Sequence, residues 1–220
     1  IQITGSYFIG NSDGFMTDPD SSSYQGYSPL VIAAKQAYVS DTVFEENKHK
    51  FAGALYLNSN GNLDSSNITI DSCVFSNNVG YAGAISSSDS LQKGALLIQN
   101  STFDSQVAID FYGMGACIAL NSGFSSLALI KNTFNNNYAN VSGGVLYIES
   151  DSPSKEVQIQ NNTFTNNTAA FGGVYFIQGS SSISSLDNIY NNNAANYGTG
   201  LRNLANILRR SVLYSELNCT

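Results

Sequence analysis

The chain has 220 residues, a formal net charge of −7 and a sequence pI near 4.4. Its nine Lys and Arg residues are scattered along the chain, which disfavours a phosphate-binding surface, and we therefore expect no nucleic-acid partner. No apolar run is long enough for a transmembrane helix, so we expect no membrane-spanning segment in this chain. Charged residues make up only 11% of the sequence, and the abundant Asn, Ser, Thr and Gly are typical of a backbone that turns often.

In chain order, residues 1–4 are predicted to form a strand, and residues 12–37 are predicted to form an inserted loop. The loop contains Pro19, Pro29 and a run of serines, all of which favour irregular backbone. Its three carboxylates could hold a hard cation such as calcium, although solvated loop side chains are the more ordinary explanation. These candidate calcium ligands are Asp13, Asp18 and Asp20. No other cofactor is predicted.

From residue 44 onward the sequence repeats at intervals of about 26 to 31 residues, a length typical of solenoid proteins. Each repeat has an aromatic residue, and Asn usually follows three positions later. The aromatic residues are Phe44, Phe75, Phe103, Phe134, Phe164 and Tyr190. The asparagines are Asn47, Asn78, Asn137, Asn167 and Asn193, and Gln106 interrupts the series. Alternating apolar residues before the aromatic predict a strand, and a small-residue element such as Gly143-Gly144 follows.

This pattern predicts an all-β fold, a right-handed parallel β-helix (β-solenoid) of about seven coils with pectin-lyase-like architecture. In such a stack the aromatics form a buried file, and the asparagines form a second file at corners with left-handed backbone, bonded from coil to coil. The coil that contains Gln106 is expected to be the irregular one, especially over residues 108–115. We expect one domain over residues 1–220, belonging to a longer chain or assembly. Residues 201–220 form either a cap or a degenerate coil.

The ordered pair of Phe-x-x-Asn and a Gly-Gly-Ala-Ile-like tetrapeptide resembles the repeats of chlamydial polymorphic membrane proteins and related surface proteins, including those of ciliates. The closest matches are Phe44, Phe75, Phe134 and Phe164 with Asn47, Asn78, Asn137 and Asn167, followed by Gly143-Gly144 and Gly172-Gly173. This resemblance implies a secreted or surface-displayed β-helix with a role in adhesion.

Several side chains outside the repeat are candidates for other roles. Glu45, Glu46, Lys48, His49 and Lys50 form the densest charge cluster, which we interpret as an exposed turn rather than an acid/base site. The tyrosines best placed to contact a glycan or a protein are Tyr24, Tyr27, Tyr38, Tyr138 and Tyr197, although loop packing is the simpler interpretation.

Asn-x-Ser/Thr sequons occur at six positions, and the best candidates for N-glycosylation are Asn67, Asn140 and Asn166. The pairing of Cys73, Cys117 and Cys219 stays open, because three is an odd number.

These features lead to one main hypothesis and one alternative. The main hypothesis is an extracellular or cell-surface structural or adhesive protein that is not an enzyme. It could assemble end to end into filaments, because an uncapped solenoid exposes strand edges. Its expected partners are further copies of itself, other surface proteins or glycans. The alternative is a carbohydrate-binding or polysaccharide-cleaving β-helix protein.

Overall fold

The structure is a computed structural model that describes residues 1–12, 28–58, 66–87, 94–109, 113–120, 124–149, 155–178, 181–197 and 201–203. Within these ranges the chain forms only short strands, and every pair of neighbouring strands is parallel. Nothing in the described ranges is a helix of the length and apolarity needed to cross a bilayer.

The strands belong to four parallel sheets, numbered here in the order in which the chain visits them. Sheet 1 consists of Gln2–Thr4, Gln36–Ser40, Asn67–Asp71, Gly94–Gln99, Phe124–Ile130, Lys155–Gln160 and Ser181–Leu186. Sheet 2 consists of Tyr7–Ile9, Val43–Glu45, Val74–Ser76, Thr102–Asp104, Thr133–Asn135, Thr163–Thr165 and Ile189–Asn191.

The other two sheets complete each coil. Sheet 3 consists of Val79–Gly80, Val107–Ala108, Tyr138–Ser142, Thr168–Phe171 and Ala194–Tyr197. Sheet 4 consists of Leu30–Ile32, Leu55–Leu57, Ile85–Ser87, Ile118–Leu120, Leu146–Ile148, Tyr175–Ile177 and Leu201–Asn203. The chain passes through the sheets repeatedly in the same order, and each internal strand of a sheet pairs with its equivalents one coil before and one coil after. The predicted parallel β-solenoid is therefore confirmed.

Alternation along each strand separates the core from the surface. In Asn67–Asp71, the side chains of Ile68 and Ile70 are buried while their neighbours face outward. The same pattern holds in the other central strands of sheet 1, because successive side chains in a strand point to opposite faces.

The centre of the core is the aromatic file. Parallel register places Phe44, Phe75 and Phe103 directly above one another, and the file extends from Phe8 to Tyr190. Adjacent ring centroids are 4.5 to 5.1 Å apart and nearly parallel, which is close to the strand separation. Burying each phenylalanine contributes about 1.5 to 3 kcal/mol, so the file is a major source of stability.

The turns between sheets explain the small and polar residues of the repeat. Each turn from sheet 1 to sheet 2, and from sheet 2 to sheet 3, has one residue with φ between 49° and 64°. From sheet 3 to sheet 4 the turn uses glycine: a Cβ on Gly143 would lie 2.3 Å from the carbonyl oxygen of Leu146. Only glycine fits this closely packed left-handed position.

Two sequence expectations differ from the structure. Residues 12–37 were predicted to form one loop, but Leu30–Ile32 pairs with Leu55–Leu57 and residues 36–37 begin a strand of sheet 1. Irregularity was predicted for residues 108–115, yet Val107–Ala108 pairs normally in sheet 3 and Met114 forms a bridge with Ser142. Backbone pairing with adjacent coils is therefore present in the described parts of both segments despite their divergent sequences. Residues 13–27 and 110–112 lie outside the described residues.

Candidate functional site

The predicted asparagine ladder is confirmed, and its geometry is regular. The backbone N–H and the side-chain Nδ2 of Asn137 both donate to Oδ1 of Asn167 in the next coil, at 3.2 and 2.8 Å. The same Nδ2 also donates to the carbonyl oxygen of Phe103 in the preceding coil, at 3.2 Å. Members of the ladder are Asn11, Asn47, Asn78, Gln106, Asn137, Asn167 and Asn193. Each buried amide is thus satisfied by its neighbours, which removes the cost of burying it.

Gln106 does not break the ladder, contrary to the sequence expectation. Its Oε1 accepts from Nδ2 of Asn78 at 3.0 Å, and its backbone N–H donates to Oδ1 of Asn137 at 2.9 Å. The extra methylene redirects Nε2, which donates to the carbonyl oxygen of Asp104 in its own coil. By contrast, Nδ2 of Asn137 donates both to the next ladder residue and to a carbonyl oxygen of the preceding coil. A longer amide therefore continues the ladder.

A second correction concerns the corner conformation. The ladder asparagine was expected to adopt left-handed backbone, but that conformation belongs to the residue before it. Asn136 and Asn166 have φ of 55° and exposed side chains, whereas Asn137 and Asn167 are buried in the ladder. Two adjacent residues thus divide the two roles, because the left-handed residue points its side chain to solvent.

The structure contains a second polar ladder that the sequence analysis missed. It lies at the turn from sheet 1 to sheet 2, two residues before each aromatic. Asn132 donates to Oδ1 of Asn162, and Asn162 donates to Oδ1 of Asn188. Towards the N-terminus, Ser101 and Cys73 occupy the equivalent positions, and the N–H of Cys73 donates to Oγ of Ser101 at 3.1 Å. The recurring Asn-x-aromatic triplet was the signal that could have revealed it.

Asp71 is the centre of an exposed polar cluster at the same turn. Its carboxylate accepts from Nδ2 of Asn100 at 2.9 Å, from Nε2 of Gln99 at 3.0 Å and from the hydroxyl of Tyr38 at 3.2 Å. These donors, Asn100 first, hold the pKa of the Asp71 carboxyl below its usual value, although partial burial opposes them. Partial desolvation and the Asp71 charge raise the pKa of the Tyr38 hydroxyl.

The predicted calcium ligands Asp13, Asp18 and Asp20 lie outside the described residues, so calcium binding stays a prediction. Within the described ranges, no three His, Cys, Asp or Glu side chains are arranged to hold a metal ion.

The charge cluster at residues 45–50 lies around a turn, with Glu46 exposed at φ 54°. His49 is only half-buried, and its backbone N–H donates to the carbonyl oxygen of Val79 at 3.1 Å. Its backbone is therefore part of the coil-to-coil pairing.

The tyrosines proposed as contact residues are dispersed. Tyr24 and Tyr27 lie outside the described residues. Tyr38 and Tyr138 are exposed on different sheets, and the Tyr138 hydroxyl donates to Oδ1 of Asn140 in its own strand, at 3.1 Å. Tyr197 is 60% exposed at the last described coil and stacks on Phe171 at 5.1 Å. These three tyrosines do not form one continuous platform.

The three sequons selected from the sequence are all accessible. Asn67, Asn140 and Asn166 have exposed side chains, as a glycan acceptor requires. Asn166 also donates through Nδ2 to Oδ1 of Asn136, at 3.1 Å. Their glycosylation stays a prediction.

Cys73 and Cys117 are both buried and form no disulfide. Burial raises the pKa of each thiol, most strongly for Cys117. Both thiols are thereby kept protonated and shielded. Cys219 lies outside the described residues.

A groove with a volume of about 260 Å³ lies on the outer face of sheet 1. It crosses the four strands that contain residues 67–69, 95–97, 126–128 and 156–158. Its residues are far apart in sequence and have no shared motif, so the groove could not be identified from the sequence. We call it the sheet 1 groove.

Comparison of the chain with protein-family models, with curated proteins and with solved structures finds no match.

Proposed function

We propose that this chain is an extracellular structural or adhesive protein whose coils stack end to end into filaments, rather than an enzyme. In this proposal the solenoid is a right-handed β-helix of about seven coils with pectin-lyase-like architecture. Its repeats are related to those of chlamydial polymorphic membrane proteins. The observation that carries the proposal is the complementarity of the two ends.

The first and last members of the asparagine ladder have complementary hydrogen-bonding groups. Every internal asparagine offers Nδ2 to the next coil and Oδ1 to the preceding one, as Asn47 does with Asn78 and Asn11. Among the described residues, the ladder ends at Asn193, whose Nδ2 donates back to the carbonyl oxygen of Phe164 at 2.9 Å. Asn11 of a second copy, placed above Asn193, would present the Oδ1 acceptor that each internal asparagine finds in the next coil.

The aromatic file is complementary in the same way. Phe8 and Tyr190 are its first and last members, and both are only half-buried, whereas the phenylalanines between them are fully buried. Stacking a second copy would bury the two outer rings and extend the file at the spacing already present.

Exposed apolar side chains are concentrated at the same ends. The large hydrophobic side chains that are more than half exposed all lie on the first or last coil of the described part of the chain. They are Ile1, Tyr7, Ile9, Leu186, Ile189 and Tyr197. Within the described part of the chain, the outermost strand of each sheet pairs on one side only, and such an edge favours addition of another strand. Because the two ends differ, head-to-tail contact repeats without closing and produces a filament.

Electron microscopy of the purified chain over a range of concentrations tests this proposal. We expect filaments with an axial repeat of about 33 Å, the length of seven strand spacings. The variants Tyr7→Lys and Ile189→Lys place a charge on an end coil and should abolish filaments. Val74→Lys is the matched control, because Val74 is 42% exposed in the same outward file but lies in an internal coil.

Two results would refute the filament proposal. One is a population of separate short rods at every concentration. The other is equal loss of filaments in Val74→Lys and in the two end variants, since this would show a general effect of charge.

The extracellular location is supported by the exposure of Asn67, Asn140 and Asn166 in sequons. Expression through a eukaryotic secretory pathway, followed by mass spectrometry of glycopeptides, tests it. We expect glycans at these positions on the sides of the solenoid, where they leave the two ends free. Secreted protein without glycans at any of the three would remove this support.

A further inference from the structure

The sheet 1 groove is concave because of the side chains at its centre. Two rows of outward residues run along the solenoid axis through the paired strands. One row contains Asn67, Ala95, Ser126 and Glu156, and the other contains Thr69, Leu97, Ala128 and Gln158. Ala95, Ser126 and Ala128 are small, so they form a low floor between longer polar residues on the flanking strands. The floor and rims cross three strand spacings, about 14 Å.

The chemistry of the groove is amphipathic. The groove presents the aliphatic carbons of Ala95 and Ala128 on the floor and those of Leu97 beside them, all of them partly accessible. Its rims present hydroxyl, amide and carboxylate groups, including those of Gln158 and Glu156, whose side chains are 3.1 Å apart in a hydrogen bond. Such a combination of an apolar surface with a few polar groups is typical of small-molecule sites.

Charge limits what can bind there. None of the described lining residues is Lys or Arg, and the one charged group is the Glu156 carboxylate. The whole chain also has a net charge of −7. An anionic ligand would therefore be repelled and would find no positive partner.

The backbone of the groove disfavours a peptide. The strands that contain Leu97 and Ala128 are internal, and each is paired on both sides. Their N–H and C=O groups are thus engaged within the sheet, and an added peptide strand would have no backbone edge to pair with. A ligand must instead use its own side groups against the floor and the rims.

We propose that the sheet 1 groove binds a short segment of a neutral polysaccharide, lying along the solenoid axis and across the strands. The C–H faces of the sugar rings pack on Leu97, Ala95 and Ala128. Sugar hydroxyls exchange hydrogen bonds with the rim, above all with the amide of Gln158. The site is on the side of the solenoid, so ligand binding and end-to-end assembly are independent.

The test is titration of the purified chain, expressed without glycosylation because Asn67 lines the groove, with neutral hexasaccharides of β-1,4-linked glucose, mannose and xylose, by NMR and calorimetry. A hexagalacturonate and an unstructured uncharged hexapeptide serve as the anionic and peptide probes. We expect at least one neutral glycan to bind, with chemical-shift changes confined to the groove residues. Neither comparison probe should bind there.

Three variants locate the site. Gln158→Ala should weaken binding by about fivefold, the equivalent of one hydrogen bond. Gln160→Ala is the matched control, because it is on the same strand and also faces outward but does not line the groove. Ala128→Phe should abolish binding by filling the floor, while its urea midpoint stays close to that of the unmodified chain.

Binding of none of the neutral glycans would overturn the proposal, as would preferential binding of the hexagalacturonate or the peptide in the groove. Equal weakening by Gln158→Ala and Gln160→Ala would also overturn it. Filament formation by Ala128→Phe is measured separately by electron microscopy. A variant that loses glycan binding but still forms filaments shows that the groove is needed for glycan binding and not for assembly.

Discussion

Three consecutive asparagines, Asn135, Asn136 and Asn137, provide a direct test of how the corner is built, because the structure gives each a different environment. Asn135 ends a strand of sheet 2 with a half-buried side chain. Asn136 is exposed, with φ of 55°. Asn137 is 1% exposed and belongs to the ladder. Replacing each in turn by alanine should therefore have three different effects on the free energy of unfolding.

The largest effect is expected for Asn137→Ala. The substitution removes the acceptor for the buried N–H of Gln106, which costs about 1 to 3 kcal/mol. It also removes the bonds from Nδ2 to the Phe103 carbonyl and to Oδ1 of Asn167, worth about 1 kcal/mol each. We expect a total loss of about 3 to 5 kcal/mol.

The other two substitutions should cost less. Asparagine tolerates left-handed backbone because its short polar side chain can hydrogen-bond locally, and alanine lacks this compensation. Asn136→Ala should therefore cost about 1 to 2 kcal/mol. Asn136→Gly should recover part of that loss, because glycine adopts this conformation readily. Asn135→Ala changes a partly exposed strand position and should stay within about 0.5 kcal/mol.

Urea unfolding followed by far-UV circular dichroism measures all four variants, and equal m-values would show that the same surface is exposed in each. The reasoning is refuted if Asn137→Ala costs less than about 1 kcal/mol, below the desolvation cost of one buried donor. It is also refuted if Asn135→Ala or Asn136→Ala is as damaging as Asn137→Ala.

Three further predictions concern other parts of the coil. Gly143→Ala should destabilise more than Gly10→Ala in urea unfolding, because both have positive φ but only the Gly143 Cβ would meet backbone, at 2.3 Å; equal losses would contradict this. Asp71→Asn should lower stability at pH 7, and the difference should shrink as the pH falls below about 4. Hydrogen bonds, led by that from Asn100, lower the pKa of the Asp71 carboxyl in the folded state, so the stabilisation by the charged carboxylate is lost as the pH falls. A difference in stability between the two proteins that persists at pH 2 would be inconsistent with this. A thiol reagent at pH 7 should leave Cys117 unmodified in the folded chain and should modify it in denaturant, as measured by mass spectrometry. Rapid labelling of Cys117 in the folded chain would contradict its burial.

Much of the repeat could be predicted because stacking is periodic. Any residue type that recurs once per coil forms a file in a parallel solenoid, so Phe75 and Phe103 could be placed in the core and Asn78 in a ladder before the structure was known. The same logic should have revealed the second ladder. It was missed because the position held by Asn132, Asn162 and Asn188 is occupied in two earlier coils by Ser101 and Cys73. These residues preserve the hydrogen bonding without preserving the residue type.

The amino-acid sequence by itself determined the coil length, the parallel stacking, and the aromatic and asparagine files, because each depends on local alternation and on one repeated spacing. Tertiary structure alone decided that Gln106 extends the ladder. Its side chain is one methylene longer than that of asparagine, and only the positions of the neighbouring amides show that it still reaches them. Tertiary structure also decided which of two adjacent asparagines is buried, because backbone φ at a corner sets the side-chain direction. The sheet 1 groove likewise depends on tertiary structure: Ala95, Ala128 and Gln158 become neighbours only when the register of successive strands is set.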